Sequence, residues 1–122
     1  MSWRRLSTDA EIQNQGVTKG LGENTTELLT ALAVKESTLG IEDPVNPLQL
    51  SCSSGTCSTS DKVSNIEGAL DIFNWAGKSS NFSPSPTYFK YNGPQKKPGQ
   101  QEKNTQIYTK IYSGIVEASR IN

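Results

Sequence analysis

If the chain is an enzyme of a common kind, carboxylates must carry its proton transfers, because the 122-residue sequence contains no histidine. That excludes Ser-His-Asp and Cys-His nucleophile systems, imidazole catalysis and His-based zinc sites. Among the carboxylates, Glu36 stands apart by its position. The stretch from Thr30 to Gly40 continues a helical pattern whose start is signalled by Asn24 as N-cap and Glu27 three residues on, the spacing of a capping box. Leu28, Leu32 and Glu36 then fall at i, i+4 and i+8 on one face, and Leu29 and Ala33 widen the apolar stripe. Burial of a carboxylate at the end of such a stripe disfavours its charged form, so it can hold a proton near neutral pH and act as a general acid. The competing reading makes Glu36 the first polar residue beyond the stripe, bent outward to water.

Two further carboxylates, Glu42 and Asp43, lie in the loop that follows. They are candidates for a second, water-activating carboxylate, against the plainer role of solvated turn formers before Pro44. The two cysteines, Cys52 and Cys57, are separated by Ser-Ser-Gly-Thr, which is not the spacing of a redox CxxC motif. Two thiols without histidine do not make an ordinary zinc site. A disulfide closing a short loop, with Gly55 available for the turn, is expected ahead of a pair of free thiols. Such a bond would place the working compartment outside the reducing cytoplasm. No metal and no cofactor are expected.

The elements that must position these residues read as helices. An initial helix is expected from Ser7 to Gln15, ending before Gly16, with Gly20 and Gly22 breaking the chain ahead of the central helix. Residues 41–47, with Pro44 and Pro47, should form a loop. Ser60 or Asp61 caps a second helix in which Val63, Ile66, Leu70 and Phe73 recur at helical spacing, with Gly77 as its stop. Pro86 opens a short helix through Tyr88, Phe89 and Tyr91 to Gly93. A polar loop over 94–103 precedes a last helix, from Asn104 or Thr105, that turns Ile107, Tyr108, Ile111, Tyr112 and Ile115 inward. Strand signals are almost absent, so the expected fold is mainly α, one domain over residues 1–122.

Composition agrees with a polar, loop-rich globular domain. The apolar share is 33%, and 12 basic residues balance 12 acidic ones, so nothing marks a broad surface for nucleic acid or anionic lipid. No apolar run is long enough to span a membrane. The first residues lack the apolar core of a secretory signal, so either a signal or a larger preceding domain has been removed, or export uses another route.

Four short patterns occur in a particular order: Glu36-Ser37; Asn46-Pro47-Leu48-Gln49-Leu50-Ser51; Asn65-Ile66 with Gly68; and Tyr91-Asn92-Gly93. In that order, over roughly residues 24–119, the chain resembles the lytic transglycosylase (SLT-type) and goose-type lysozyme group of the lysozyme-like superfamily. It departs from the group's pattern where Asn46-Pro47 stands for Gly-Leu, where Lys90 stands for Ala before Tyr-Asn, and in the short segment between Glu36 and Gln49. The resemblance implies a lysozyme-like helical domain with little or no β-structure, and Glu36 as catalytic acid. It further implies substrate contacts from Ser37, Gln49, Asn65, Tyr91 and Asn92, against plainer roles for Ser37 in closing the helix end, for Asn65 in satisfying backbone at the start of its helix, and for Asn92 as a turn former beside Gly93. Gln49, between two leucines, would point opposite to both if the segment is extended and hydrogen-bond a sugar amide or hydroxyl. Tyr91 would hydrogen-bond or position the Glu36 carboxylate, against the plainer role of a core aromatic.

The implied activity is cleavage of the β-1,4 bond between N-acetylmuramic acid and N-acetylglucosamine in peptidoglycan, with a lytic transglycosylase preferred to a hydrolysing muramidase. A non-catalytic glycan- or protein-binding module of the same fold is the rival from another class. The implied partner is the glycan strand, met by a monomer in the periplasm or outside the cell. A parent secreted protein and a cognate inhibitor or immunity protein fit the same setting.

Overall fold

The computed structural model describes residues 3–21, 24–51 and 57–121, and is mainly helical. Five helices follow one another: α1 (Trp3–Lys19), α2 (Thr25–Ser37), α3 (Lys62–Lys78), α4 (Pro84–Asn92) and α5 (Gln100–Ile121). No strand occurs among the described residues. None of these helices is long and apolar enough to cross a membrane.

The central helix α2 is packed between α1 and α5, while α4 bridges α3 and α5. Its stripe is buried as the periodicity requires: Leu28, Leu29, Leu32 and Ala33 are excluded from solvent, together with Ile66, Leu70 and Phe73 of α3. Tyr88 of α4 stacks on Tyr108 of α5, with ring centroids 4.4 Å apart and planes 12° from parallel. The Tyr108 hydroxyl is satisfied by donating to the Leu28 carbonyl at 2.9 Å. A buried tyrosine needs such a partner, and this one ties α5 to the middle of α2.

Several features differ from the sequence expectation. Helix α1 runs straight through Gly16. A Cβ there would lie 2.2 Å from Leu29 Cδ1, so the glycine permits close approach of α1 to α2 and ends nothing. Gly77 lies one residue before the end of α3 at Lys78, beside its expected place as the stop, and a Cβ there would lie 2.2 Å from the Phe82 ring. Asn24 occupies the N-cap position of α2, but its side chain makes no capping bond; Asp61 does cap α3, accepting from Ser64 N at 3.0 Å. Val63 and Ile107, placed inward by periodicity, are exposed. Helix α5 begins four residues before Asn104, at Gln100, after Gly99 takes a left-handed turn. Helix α4 begins at Pro84, and Gly93 at φ 72° is its C-cap. Gly22 lies outside the described residues.

Candidate functional site

Glu36 sits in the last turn of α2, where the apolar stripe gives out. Its Oε1 accepts a 3.1 Å hydrogen bond from the Tyr88 hydroxyl on α4. Burial raises the carboxyl's pKa above the ordinary 4.5, while the adjacent Lys35 ammonium and the Tyr88 donor pull the other way without overcoming it. Glu36 is nonetheless accessible, because it lines a cleft of about 470 Å³ with Lys35, Gln49, Leu50, Ser51, Ile72, Tyr91, Asn92 and Gln95. A desolvated carboxylic acid at the wall of a polar cleft is equipped to give a proton to a bound ligand.

The cleft exists because the loop after α2 is folded back beside Glu36 and pinned there. Thr38 and Leu39 both adopt left-handed backbone, at φ 53° and 57°, and Gly40 follows at φ 86°. A β-branched threonine in that region is strained, so surrounding contacts must hold it. Ser37 supplies the central one: its buried hydroxyl donates to the Pro47 carbonyl at 2.6 Å and accepts from Gly40 N at 2.8 Å. Asn46 matches both backbone groups of Leu50, through Oδ1 and Nδ2, each at 2.9 Å. From α3, Asn65 Nδ2 donates to the Val45 carbonyl at 2.8 Å, while its Oδ1 accepts from Ser58 N at 2.7 Å. Gly68 on the same helix leaves room for the Leu50 side chain, which would lie 2.8 Å from an added Cβ. From α4, the Tyr91 hydroxyl donates to the Leu48 carbonyl at 2.5 Å.

The structure thus divides the residues singled out in the sequence. Gln49, Tyr91 and Asn92 share the cleft with Glu36. Ser37 and Asn65 are buried and spend their polar atoms on backbone, so they build the cleft instead of touching its contents. Tyr91 does not reach the Glu36 carboxylate; its hydroxyl serves the loop. The residue that does is Tyr88, one helical turn earlier and outside the four sequence patterns. Tyr88, Tyr91 and Asn92 stand at i, i+3 and i+4 on α4, and that spacing was the available signal.

Gln49 is exposed between buried Leu48 and Leu50, as their alternation implies, but the segment is a turn and not a strand. Gln49 has φ 55°, and its N–H donates back to Asn46 O at 3.0 Å. Its side-chain amide donates to Asp43 Oδ2 at 2.8 Å and to Asn46 O at 2.9 Å. With both donors used, Oε1 is the group left for a ligand.

Neither Glu42 nor Asp43 lines the cleft, so neither is placed to act as a second carboxylate there. Asp43 instead organises the loop, accepting from Asn46 N at 3.0 Å as well as from Gln49. Cys57 is disulfide-bonded; Cys52 lies outside the described residues. A second hollow of about 490 Å³, bordered by Ser85, Thr105, Gln106, Thr109, Lys110 and Ser113, has no group suited to proton transfer apart from a lysine, so the chemistry points to the Glu36 cleft. No group of three or more His, Cys, Asp or Glu able to hold a metal occurs among the described residues.

Neither a family model nor a curated protein nor a solved structure matches this chain.

Proposed function

We propose that the protein is a lytic transglycosylase that cleaves the β-1,4 bond between N-acetylmuramic acid and N-acetylglucosamine in peptidoglycan. The observation that carries this reading is a single carboxyl with raised pKa, Glu36, held by Tyr88 in a polar cleft whose described lining residues include no other carboxylate. A glycosidic oxygen is a poor leaving group and needs a proton as the bond breaks, which the protonated Glu36 supplies. An inverting hydrolase would need a second carboxylate across the sugar to activate water. A transglycosylase does not: Glu36, left as carboxylate, takes the proton of the muramic acid 6-hydroxyl while that oxygen closes on the anomeric carbon. One residue serves as acid and then as base, and the product is a 1,6-anhydro sugar.

Gln49 Oε1 suits the N–H of an acetamido group or a sugar hydroxyl, and Ile72 offers an apolar wall. The experiment is mass spectrometry of the fragments released from purified peptidoglycan. Anhydromuramyl ends are expected; reducing ends would make the enzyme a hydrolase, and no release would remove the enzymatic reading.

A further inference from the structure

Asn92 lines the cleft, yet both ends of its side-chain amide are already engaged behind it. Its Nδ2 donates to the Tyr88 hydroxyl oxygen at 3.4 Å, and its Oδ1 accepts from Asn104 Nδ2 at 3.2 Å. Asn104 Oδ1 in turn accepts from Gln100 Nε2 at 2.8 Å. Together with the Tyr88 bond to Glu36, every link donates in the same direction, from α5 through α4 to α2. That common direction has a consequence for the last link. A tyrosine hydroxyl has one hydrogen, and a donor approaching its oxygen leaves that hydrogen for the carboxylate. An amide free to turn over could instead present its carbonyl to Tyr88 and draw the hydrogen away. Asn104 opposes this, because its Nδ2 meets Asn92 Oδ1 while its Oδ1 accepts from Gln100.

We propose that Asn92 and Asn104 are positioning residues, a one-way hydrogen-bond relay across three helices that keeps the Tyr88 hydroxyl hydrogen on Glu36. Its value for catalysis rests on the function proposed above. A residue that gives a proton and then takes one back needs both of its states within reach, and burial alone would hold Glu36 protonated. A fixed donor returns stability to the carboxylate. The titratable groups facing Glu36 are Lys35 on α2, Tyr88 and Tyr91 on α4, and Tyr108 on α5, while α3 contributes only Ile72 to the cleft. The three tyrosines are all pushed upward by burial and stay neutral, so Lys35 is the one charge among them and the relay the adjustable influence.

The test is direct titration of the Glu36 carboxyl carbon by 13C NMR in wild type, Asn104→Leu, Tyr88→Phe and the double variant. The midpoint should move to higher pH in Asn104→Leu and in Tyr88→Phe, and the double variant should match Tyr88→Phe alone. Asn104→Ala gives the same comparison if leucine disturbs the fold. A midpoint unmoved or lowered in the Asn104 variants, or a further shift when Asn104→Leu is added to Tyr88→Phe, would overturn the relay. Because the titration needs no substrate, its failure leaves the cleavage reading standing, and failure to cleave peptidoglycan leaves the relay standing.

Discussion

The hydroxyl of Tyr88 and the carboxyl of Glu36 meet at 3.1 Å although 52 residues separate them, and the tyrosine is held for this contact by stacking on Tyr108. The pair joins the core to the cleft. The same packing that buries Tyr88 desolvates Glu36, and the same bond partly offsets that desolvation.

A pH dependence of stability with a definite sign follows. A carboxyl whose folded pKa lies above its unfolded value contributes stability that is full below the unfolded value and is lost as pH rises through the folded one. Glu36→Gln removes this titration while keeping an acceptor for Tyr88. The variant should therefore gain on wild type as pH rises, and melt at the same or a higher temperature at neutral pH. Melting curves across a pH series check it, and a variant that loses ground with rising pH would contradict the burial of Glu36.

Much of this arrangement was legible in the sequence, because it follows from periodicity. The apolar stripe of α2 and the burial of Ile66, Leu70 and Phe73 are set by residues a turn apart. What periodicity does not carry is the meaning of a glycine inside a helix. Gly16 reads as a stop, since nothing local distinguishes a terminating glycine from one facing a neighbouring side chain such as Leu29. The same limit applied to the site. The order of motifs singles out Glu36, Gln49, Tyr91 and Asn92, whereas the exchange of roles between Tyr91 and Tyr88 depends on the rotation of α4 about its axis. Ser37 and Asn65 suit either a ligand or backbone loop-building as short polar side chains, and only the fold decides for the backbone.

That division of labour separates two neighbouring substitutions. Ser37→Ala leaves the buried Pro47 carbonyl and Gly40 N–H without their partner, a loss of about 1–3 kcal/mol in denaturant unfolding. Gln49→Ala removes an exposed amide and should cost less than about 1 kcal/mol while weakening turnover or substrate binding. Equal losses of stability from both would show that Gln49 too serves the loop alone.

The packing glycines offer a matched comparison. Gly77→Ala gains helix propensity of up to about 1 kcal/mol but drives a methyl into the Phe82 ring, and overpacking of this kind costs about 1–3 kcal/mol. Gly114→Ala meets nothing within 4 Å and keeps only the gain. Unfolding midpoints should fall for the first and rise for the second. A rise for Gly77→Ala would mean that Phe82 yields freely.

If Glu36 is the proton donor of a peptidoglycan-cleaving enzyme, Glu36→Gln should slow the cleavage of purified peptidoglycan. Glutamine keeps the shape and the acceptor for Tyr88 but has no acidic proton, and loss of general acid catalysis removes a factor on the order of 10² to 10⁴ in rate. A folded variant slowed by that factor is the predicted result. A folded Glu36→Gln protein that cleaves at near the wild-type rate would rule out Glu36 as the proton donor.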